Sequence, residues 1–316
     1  LCAVAEHEGR LVGTVALALR TVRQGGRTIW MAYPMDARVD PAYQHKGVFK
    51  AVWGYLRQAL GDLPIDAMMG FILHGNRRAV GAARQMFPGV TVREAADFHL
   101  VHFSMYWPYR EPKGLEVGPA TDDDRDAVVD LLEVTYRNHS FVPVMNRVWL
   151  DRQLERSTGY SMSNIHVVRE GEGIVALLGL WDQSAIRRLI VLRNPLTVRL
   201  GIAAAHLLHL FIPSPPPPRI DEPLQALYIK HVACLPGYEE PLRGMMRIVL
   251  NRVRRQKKYA LVWGAFYHND PYLKFWKDFA TTESLSRMYY VPGNTDWDVP
   301  PEPLCATPAY ADFSMV

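Results

Sequence analysis

Apolar and polar positions alternate with a period of two at the start of the chain, which predicts strands over 2–7, 11–22 and 28–39. The period then lengthens toward 3.6. That predicts a helix over 46–61, with Val48, Val52, Tyr55 and Ala59 as its inward stripe. A strand over 65–73, a helix over 76–86 and a strand over 98–107 complete this unit. The stretch 107–114 is rich in Pro, Gly and charge and reads as a linker. After it come a strand at 115–118 and a helix opened by Thr121, with Asp124 three residues on as a capping box. Val128, Leu131, Leu132 and Thr135 recur on one face of that helix, and a further helix covers 144–156.

Two elements occur twice. A hairpin with a Glu-Gly turn lies at Val4-Ala-Glu-His-Glu-Gly-Arg-Leu-Val-Gly13 and again at His166-Val-Val-Arg-Glu-Gly-Glu-Gly-Ile-Val175. A strand ending Gly-x-x-x-His and leading through Asn into a helix lies at Gly70–Asn76 and again at Gly264–Asn269. The second copy carries additional residues between its two elements, at about 186–221. That segment holds a helical pattern over 198–210 and then a run of prolines that fits neither helix nor central strand. Two copies of one fold in tandem account for this order. The expectation is an α/β (α+β) chain with helices on a mixed, mostly antiparallel sheet. Its first unit would be residues 1–110 and its second residues 115–316. The first copy has no counterpart of the strand and helix that open the second, and the chain begins at Leu1. The first unit is therefore expected to lack its N-terminal strand and helices.

Composition narrows the picture modestly. The 316 residues include 36 basic and 32 acidic ones, a net charge of +4, too mild to imply nucleic acid. The basic run Arg252-Val-Arg-Arg-Gln-Lys-Lys258 reads as a solvated helix face. The longest apolar run, 200–213, is shorter than the roughly 20 residues a bilayer requires, so no membrane partner is expected. Three cysteines without metal-ligand spacing read as reduced thiols of a cytoplasmic protein, with no metal site.

The chemistry concentrates at Val39-Asp40-Pro41-Ala42-Tyr43-Gln44-His45-Lys46-Gly47-Val48-Phe49, between a strand and a helix. Main-chain N–H groups at a helix N-terminus have no partner within the helix. Together with its dipole they hold phosphate. Lys46 and Lys50 flank the site, either as phosphate partners or as ordinary surface charge.

These residues resemble the cofactor motif of the GNAT acyltransferase superfamily, Arg/Gln-x-x-Gly-x-Gly/Ala after Val-x-Pro-x-Tyr. Val39, Pro41, Tyr43, Gln44 and Gly47 match, while Phe49 departs at the last small position. The resemblance covers about 2–107. The whole chain is also similar to the Hookless-type tandem GNAT proteins of plants, through a Trp-containing strand at 175–182, Arg187-Arg188, the Pro-rich insertion and the tail.

The resemblance implies an N-acetyltransferase that moves an acyl group from acetyl-CoA, or another acyl-CoA, directly to a small-molecule or protein amine. Gln44, His45, Lys46, Gly47, Val48, Phe49 and Lys50 would hold the pyrophosphate. Ala37, Arg38 and Val39 would line the pantetheine arm, and Asn76 would complete the cofactor site. Asp36, Tyr43 and His74 are the candidates for acid–base work. The family's usual acid, a Tyr seven residues after the Asn, falls on Ala83 and is absent; Tyr33, Tyr43 or His74 could substitute for it. Asp36 also reads as a solvated strand charge. His74 and His268, which recur in both copies, also read as structural hydrogen-bonding groups. In the second copy the expected loop carries Glu239, Glu240 and Pro241, where two carboxylates would repel phosphate. That copy is read as degenerate, shaping the acceptor site or a homodimer. The alternative function is a catalytically inactive acetyl-CoA-binding regulatory module.

Overall fold

In a computed structural model the protein is described over residues 1–61, 63–86, 91–192, 200–201, 203–204, 207, 215–216, 218–293 and 307–312. Half of the expected insertion, including most of its helical pattern and part of its proline run, lies outside the described residues.

The first half runs β1 (Cys2–His7), β2 (Arg10–Gln24), β3 (Arg27–Val39), α1 (Val48–Ala59), β4 (Ala67–Leu73), α2 (Arg77–Met86) and β5 (Arg93–Ser104). The second half begins with β6 (Gly118–Pro119), α3 (Arg125–Tyr136), β7 (Val142–Pro143) and α4 (Arg147–Arg156). It continues through β8 (Ile165–Glu170), β9 (Gly173–Asp182), β10 (Ala226–Cys234), α5 (Glu239–Arg255), β11 (Leu261–Tyr267), α6 (Leu273–Trp276) and β12 (Thr281–Pro292).

Among the described residues the strands form one sheet ordered β1-β2-β3-β4-β12-β5-β11-β10-β9-β8-β6, with β7 beside β2. Pairing is antiparallel except for β3 with β4 and β10 with β11. The centre of the sheet is an exchange. β5 of the first half lies between β11 and β12, and β12 of the second half lies between β4 and β5. Each half therefore completes its sheet with a strand of the other.

Local chemistry explains the elements. Glu8 and Gly9 both take positive φ (51° and 75°), as a two-residue hairpin turn with strand-matching twist requires. The Thr121–Asp124 capping box forms as its spacing predicts. The inward face of α1 differs from the expected stripe. Val52, Trp53 and Leu56 are buried, whereas Tyr55 is 67% exposed. At 100° per residue Tyr55 falls well outside the arc of 52, 53 and 56. Trp53 fixes the helix further, donating its indole N–H to the Met86 carbonyl (2.7 Å).

α1 covers one face of the first half, over Val15, Leu17 and Ala32. α5 and α6 cover a face of the second half over Val101, Phe103, Val262 and Phe266. α3 and α4 pack over Leu177 and Trp181. On β5, side chains alternate, so Phe98 turns away from Val101 and Phe103 and joins a separate core under Phe141 and Ala309. Ala309 belongs to residues 307–312, which bond to Ser140 through its N–H, carbonyl and hydroxyl. This strap carries Asp312 to Lys230 on β10, with 3.7 Å between the charges and side-chain exposures of 6% and 0%. No helix among the described residues is long and apolar enough to cross a membrane. None of their His, Cys, Asp and Glu side chains form a group that could hold a metal ion.

Candidate acyl-donor site

The turn between β3 and α1 is built by caps. Asp40 accepts the Ala42 N–H (2.9 Å) and so starts a short 3-10 turn with Pro41 at its first position. Arg10 neutralises the Asp40 carboxylate at 2.7 Å. His45 and Gly47 then adopt left-handed backbone (φ 64° and 81°), and Gly47 caps α1. This bookkeeping corrects the expected phosphate donors. The N–H groups of Tyr43, Gln44 and Lys46 are already bonded inside the turn. Those of His45, Gly47, Val48, Phe49 and Lys50 have no acceptor among the described residues. They cluster at the positive end of the helix dipole, beside Lys46 and Lys50, and the first turn holds no carboxylate. No side chain fills the turn, which is largely exposed.

Gly13 lets the helix come this close to the sheet. A Cβ there would fall 2.6 Å from Val48 Cγ1.

Beside the turn the sheet opens. β3 pairs with β4 only at Met31–Ala67 and Ala32–Met68. β4 then follows β12, while β3 continues with β2 to Val39. The edge of β3 beyond Ala32 thus faces a cleft, and no side-chain hydrogen bond from the described residues reaches its backbone. Asp36 and Ala37 together oppose Val15 as a bulge, with Asp36 at φ 50°. Ala37, Arg38 and Val39 carry the edge to the turn.

The second half repeats this layout and closes it. β10 and β11 pair at Ala226–Tyr228 with Leu261–Trp263 and then diverge. Here the exposed edge is capped by side chains. Tyr136 donates its hydroxyl to the Val232 carbonyl, the Cys234 N–H bonds the Tyr272 hydroxyl (3.3 Å), and Thr135 bonds the Cys234 carbonyl (3.3 Å). At the start of α5, Glu239 folds back to accept the Gly237 N–H (3.2 Å), and Glu240 adds a second negative charge to the first turn.

The candidate acid–base residues are not assembled together. Asp36 is exposed and accepts a hydrogen bond from Arg38 (3.2 Å). Tyr43 turns outward, with His7 against its ring edge and the Lys46 ammonium 5.1 Å above it. His74 lies past the end of β4, with its Nε2 3.3 Å from Asp97 Oδ1. Arg287 grips the same carboxylate at 2.7 Å and holds its pKa below the usual range. The backbone N–H of His268 donates to the Asp97 carbonyl (3.1 Å), so both repeated histidines bond to one residue. Asn76 caps α2 by accepting the Ala79 N–H (3.1 Å).

Tyr33 occupies the place those three do not. It is the first residue of β3 past the pairing with β4, and it is 4% exposed. Its ring lies 5.7 Å from Phe71 and beneath the Arg20 guanidinium at 5.8 Å. Its hydroxyl is buried without a hydrogen-bond partner among the described residues. Burial drives its pKa well above the ordinary phenol value, so the hydroxyl keeps its proton. The sequence offers Tyr33 as one of three substitutes for the missing acid, but not the open edge of the strand that carries it.

The fold is similar to that of Saccharomyces cerevisiae N-myristoyltransferase with bound myristoyl-CoA. One such structure has a TM-score of 0.59 at 9% identity, covering 90% of this chain and 67% of that one. Another has a TM-score of 0.60 at 9% identity, covering 89% and 64%. A conserved protein of unknown function from Enterococcus faecalis V583, described as a probable N-acyltransferase, is similar at TM-score 0.50 and 11% identity, covering 90% and 60%. The chain thus spans about two thirds of these proteins or less. No protein-family model matches the sequence, and no curated protein matches it. The likeness shows the fold. The chain has a fold like that of N-myristoyltransferase, a mixed α+β sheet flanked by helices.

Proposed function

We propose that the chain is an acyl-CoA-dependent N-acyltransferase whose first unit, residues 1–110, holds the acyl donor, while the second, residues 115–316, completes the acceptor side. The observation that carries this reading is the asymmetry between the halves. The β3–α1 half keeps free amides, basic side chains and an unpaired strand edge. The β10–α5 half fills the same places with its own side chains. The amides of His45 and Gly47 to Lys50 hold the pyrophosphate, and the β3 edge from Tyr33 to Val39 pairs with the pantetheine arm. Acetyl-CoA is the simplest donor, and the kinship with Hookless-type proteins belongs to this reading.

The reaction is direct. A neutral amine attacks the thioester carbonyl, whose oxygen gains negative charge and is stabilised by a β3 amide. The C–S bond breaks as the amide forms, and the thiolate takes a proton. Positioning amine and thioester together supplies much of the acceleration. Tyr33, a buried hydroxyl held protonated at the cleft, donates a hydrogen bond that stabilises the leaving thiolate, in the role that Ala83 cannot fill. Asp36 and His74 remain candidates for removing the amine proton, and Tyr43 is assigned to the cofactor turn.

Gly47 offers a clean test. Nothing lies within 4 Å of the Cβ that a substitution would add, so Gly47→Ala costs only left-handed strain, about 1 kcal/mol. Gly47→Glu adds a carboxylate where phosphate binds. Calorimetry should show acetyl-CoA affinity retained within a few-fold in Gly47→Ala and reduced at least about tenfold in Gly47→Glu. Equal affinity in both would remove the turn from the donor site. A second reading, a CoA-binding module without turnover, is favoured by Ala83. Tight acetyl-CoA binding with no thiol release across an amine panel would select it.

A further inference from the structure

The Tyr33 ring carries a cation from the strand beside it. In the antiparallel β2–β3 pair, Tyr33 stands opposite Ala18, and Met31 opposite Arg20. Arg20 is therefore the diagonal neighbour of Tyr33 on one face of the sheet, a separation that long side chains span. Ala18 offers only a methyl group, so the ring is left open to Arg20. The guanidinium carbon lies 5.8 Å from the ring centroid, within the range at which a cation is drawn to an aromatic face. Phe71 of β4 holds the ring as well, 5.7 Å away and tilted by 46°.

The hydroxyl of this ring answers to more than one charge. Burial raises its pKa well above the ordinary phenol value. Among the described charges, Arg20 opposes that rise most, Asp312 on the strap adds to it, and Arg187 after β9 opposes it. The Asp312 carboxylate is in turn answered by Lys230, 3.7 Å away. An ordinary thiol titrates at about 8.5 and a phenol at about 10. A donor stabilises a developing anion better as its own acidity approaches that of the group it serves. Each lowering of the buried phenol therefore narrows its mismatch with a leaving thiolate.

We propose that Arg20 is a positioning residue for acyl transfer: its guanidinium, laid over the Tyr33 ring, fixes the ring at the cleft and strengthens its hydroxyl as the donor to the leaving sulfur. Arg20 acts through the phenol and not on the sulfur. This role rests on the part given to Tyr33 in the proposed reaction. It also carries an upper bound, since Arg20 cannot contribute more to the rate than the hydroxyl through which it acts.

The test uses the full chain, acetyl-CoA and hydroxylamine, an amine that is uncharged at neutral pH and so attacks without a base. Free-thiol release is followed at saturating acetyl-CoA. Arg20→Met should lower kcat about tenfold and leave the KM for acetyl-CoA within about twofold. Arg20→Lys, which keeps the charge, should lose less than about threefold. In the Tyr33→Phe background Arg20→Met should have no further effect. Difluorotyrosine in place of Tyr33, a more acidic phenol, should restore most of the rate lost in Arg20→Met. A loss that persists beside Tyr33→Phe, or that the difluoro phenol does not relieve, overturns the proposal, because Arg20 would then act on the sulfur directly or by packing alone. Arg20→Gln stands in should Arg20→Met fail to fold. The Cζ resonance of isotope-labelled Tyr33, read without substrate, keeps the two ideas apart. Arg20→Met should move it, and Arg20→Lys should leave it near its place. A resonance that ignores Arg20→Met takes the guanidinium off the ring and overturns the proposal whatever the rates. A resonance that moves in a chain whose kcat falls with Tyr33→Phe but not with Arg20→Met removes Arg20 alone. A resonance that moves in a chain that turns over no hydroxylamine, or whose kcat is indifferent to Tyr33→Phe, keeps the contact, removes the reading of Tyr33 and removes the role of Arg20 with it.

Discussion

Tyr33→Phe lowers kcat by about a hundredfold while leaving the melting temperature unchanged or slightly raised. The two halves of this result have different origins. Removing one positioned donor to developing negative charge costs about 10²–10³-fold in kcat, so loss of the Tyr33 hydroxyl is felt in the chemical step. Stability does not fall, because the hydroxyl is buried without a partner among the described residues and the ring keeps its contacts with Phe71 and Arg20. Removing an unsatisfied buried polar group of that kind is neutral or favourable. Acetyl-CoA affinity stays near its original value, since the hydroxyl acts on the leaving sulfur rather than on the bound donor. Steady-state kinetics and thermal denaturation on the same preparation check it. An unchanged kcat would take Tyr33 out of the reaction, and a large loss of stability would show that its hydroxyl has a structural partner.

Asp312→Ala destabilises the fold by about 3 kcal/mol or more, the largest stability effect expected from any single charge among the described residues. The Lys230 and Asp312 side chains are almost wholly excluded from solvent, at 0% and 6% exposure. Lys230 sits over the Trp181 ring at 4.6 Å and the Tyr160 ring at 5.6 Å, with neighbouring His231 pushed down to a pKa of about 3 by burial. Burial also depresses the Lys230 pKa, and Asp312 opposes that shift. Without the carboxylate, a buried ammonium must stay unpaired or lose its proton, and either costs free energy. The 307–312 strap would loosen with it, releasing its bonds to Ser140. The double variant Lys230→Met/Asp312→Leu should recover most of the loss, because no lone charge remains. Denaturant unfolding measures both. A loss below about 0.5 kcal/mol for Asp312→Ala would mean that the pair is solvated and the strap is not anchored there.

Local features of this fold were legible because local chemistry determines them. The β1–β2 hairpin follows from Glu8-Gly9, the Thr121 cap from Asp124, and the turn before α1 from Pro41 and Gly47 set between a strand and a helix. Glu239 and Glu240 set the second turn apart from the first, and the structure places both in the first turn of α5. What the sequence did not disclose depends on pairing between distant segments. The exchange of β5 and β12 joins residues nearly two hundred positions apart, such as Phe98 with Ser286, and alternation within either strand is the same whoever its neighbour is. The capping of the second cleft relies on Tyr136 and Tyr272, which read as ordinary core aromatics until β10 is placed between them. Tyr55 was misassigned to the inside of α1 because the buried arc is centred on Trp53 and Leu56, one step around the helix. Asn76 carries a cap that any helix start could ask for, and His74 a bond to Asp97 on another strand.

Titration of the purified chain with coenzyme A in a calorimeter tests the central claim most directly. The account predicts a single site per chain, weakened at least about tenfold by Gly47→Glu and weakened by added salt, as phosphate held by amides and lysines requires. No heat with coenzyme A, or a site that Gly47→Glu leaves intact and a change at Gly237 removes, would contradict it.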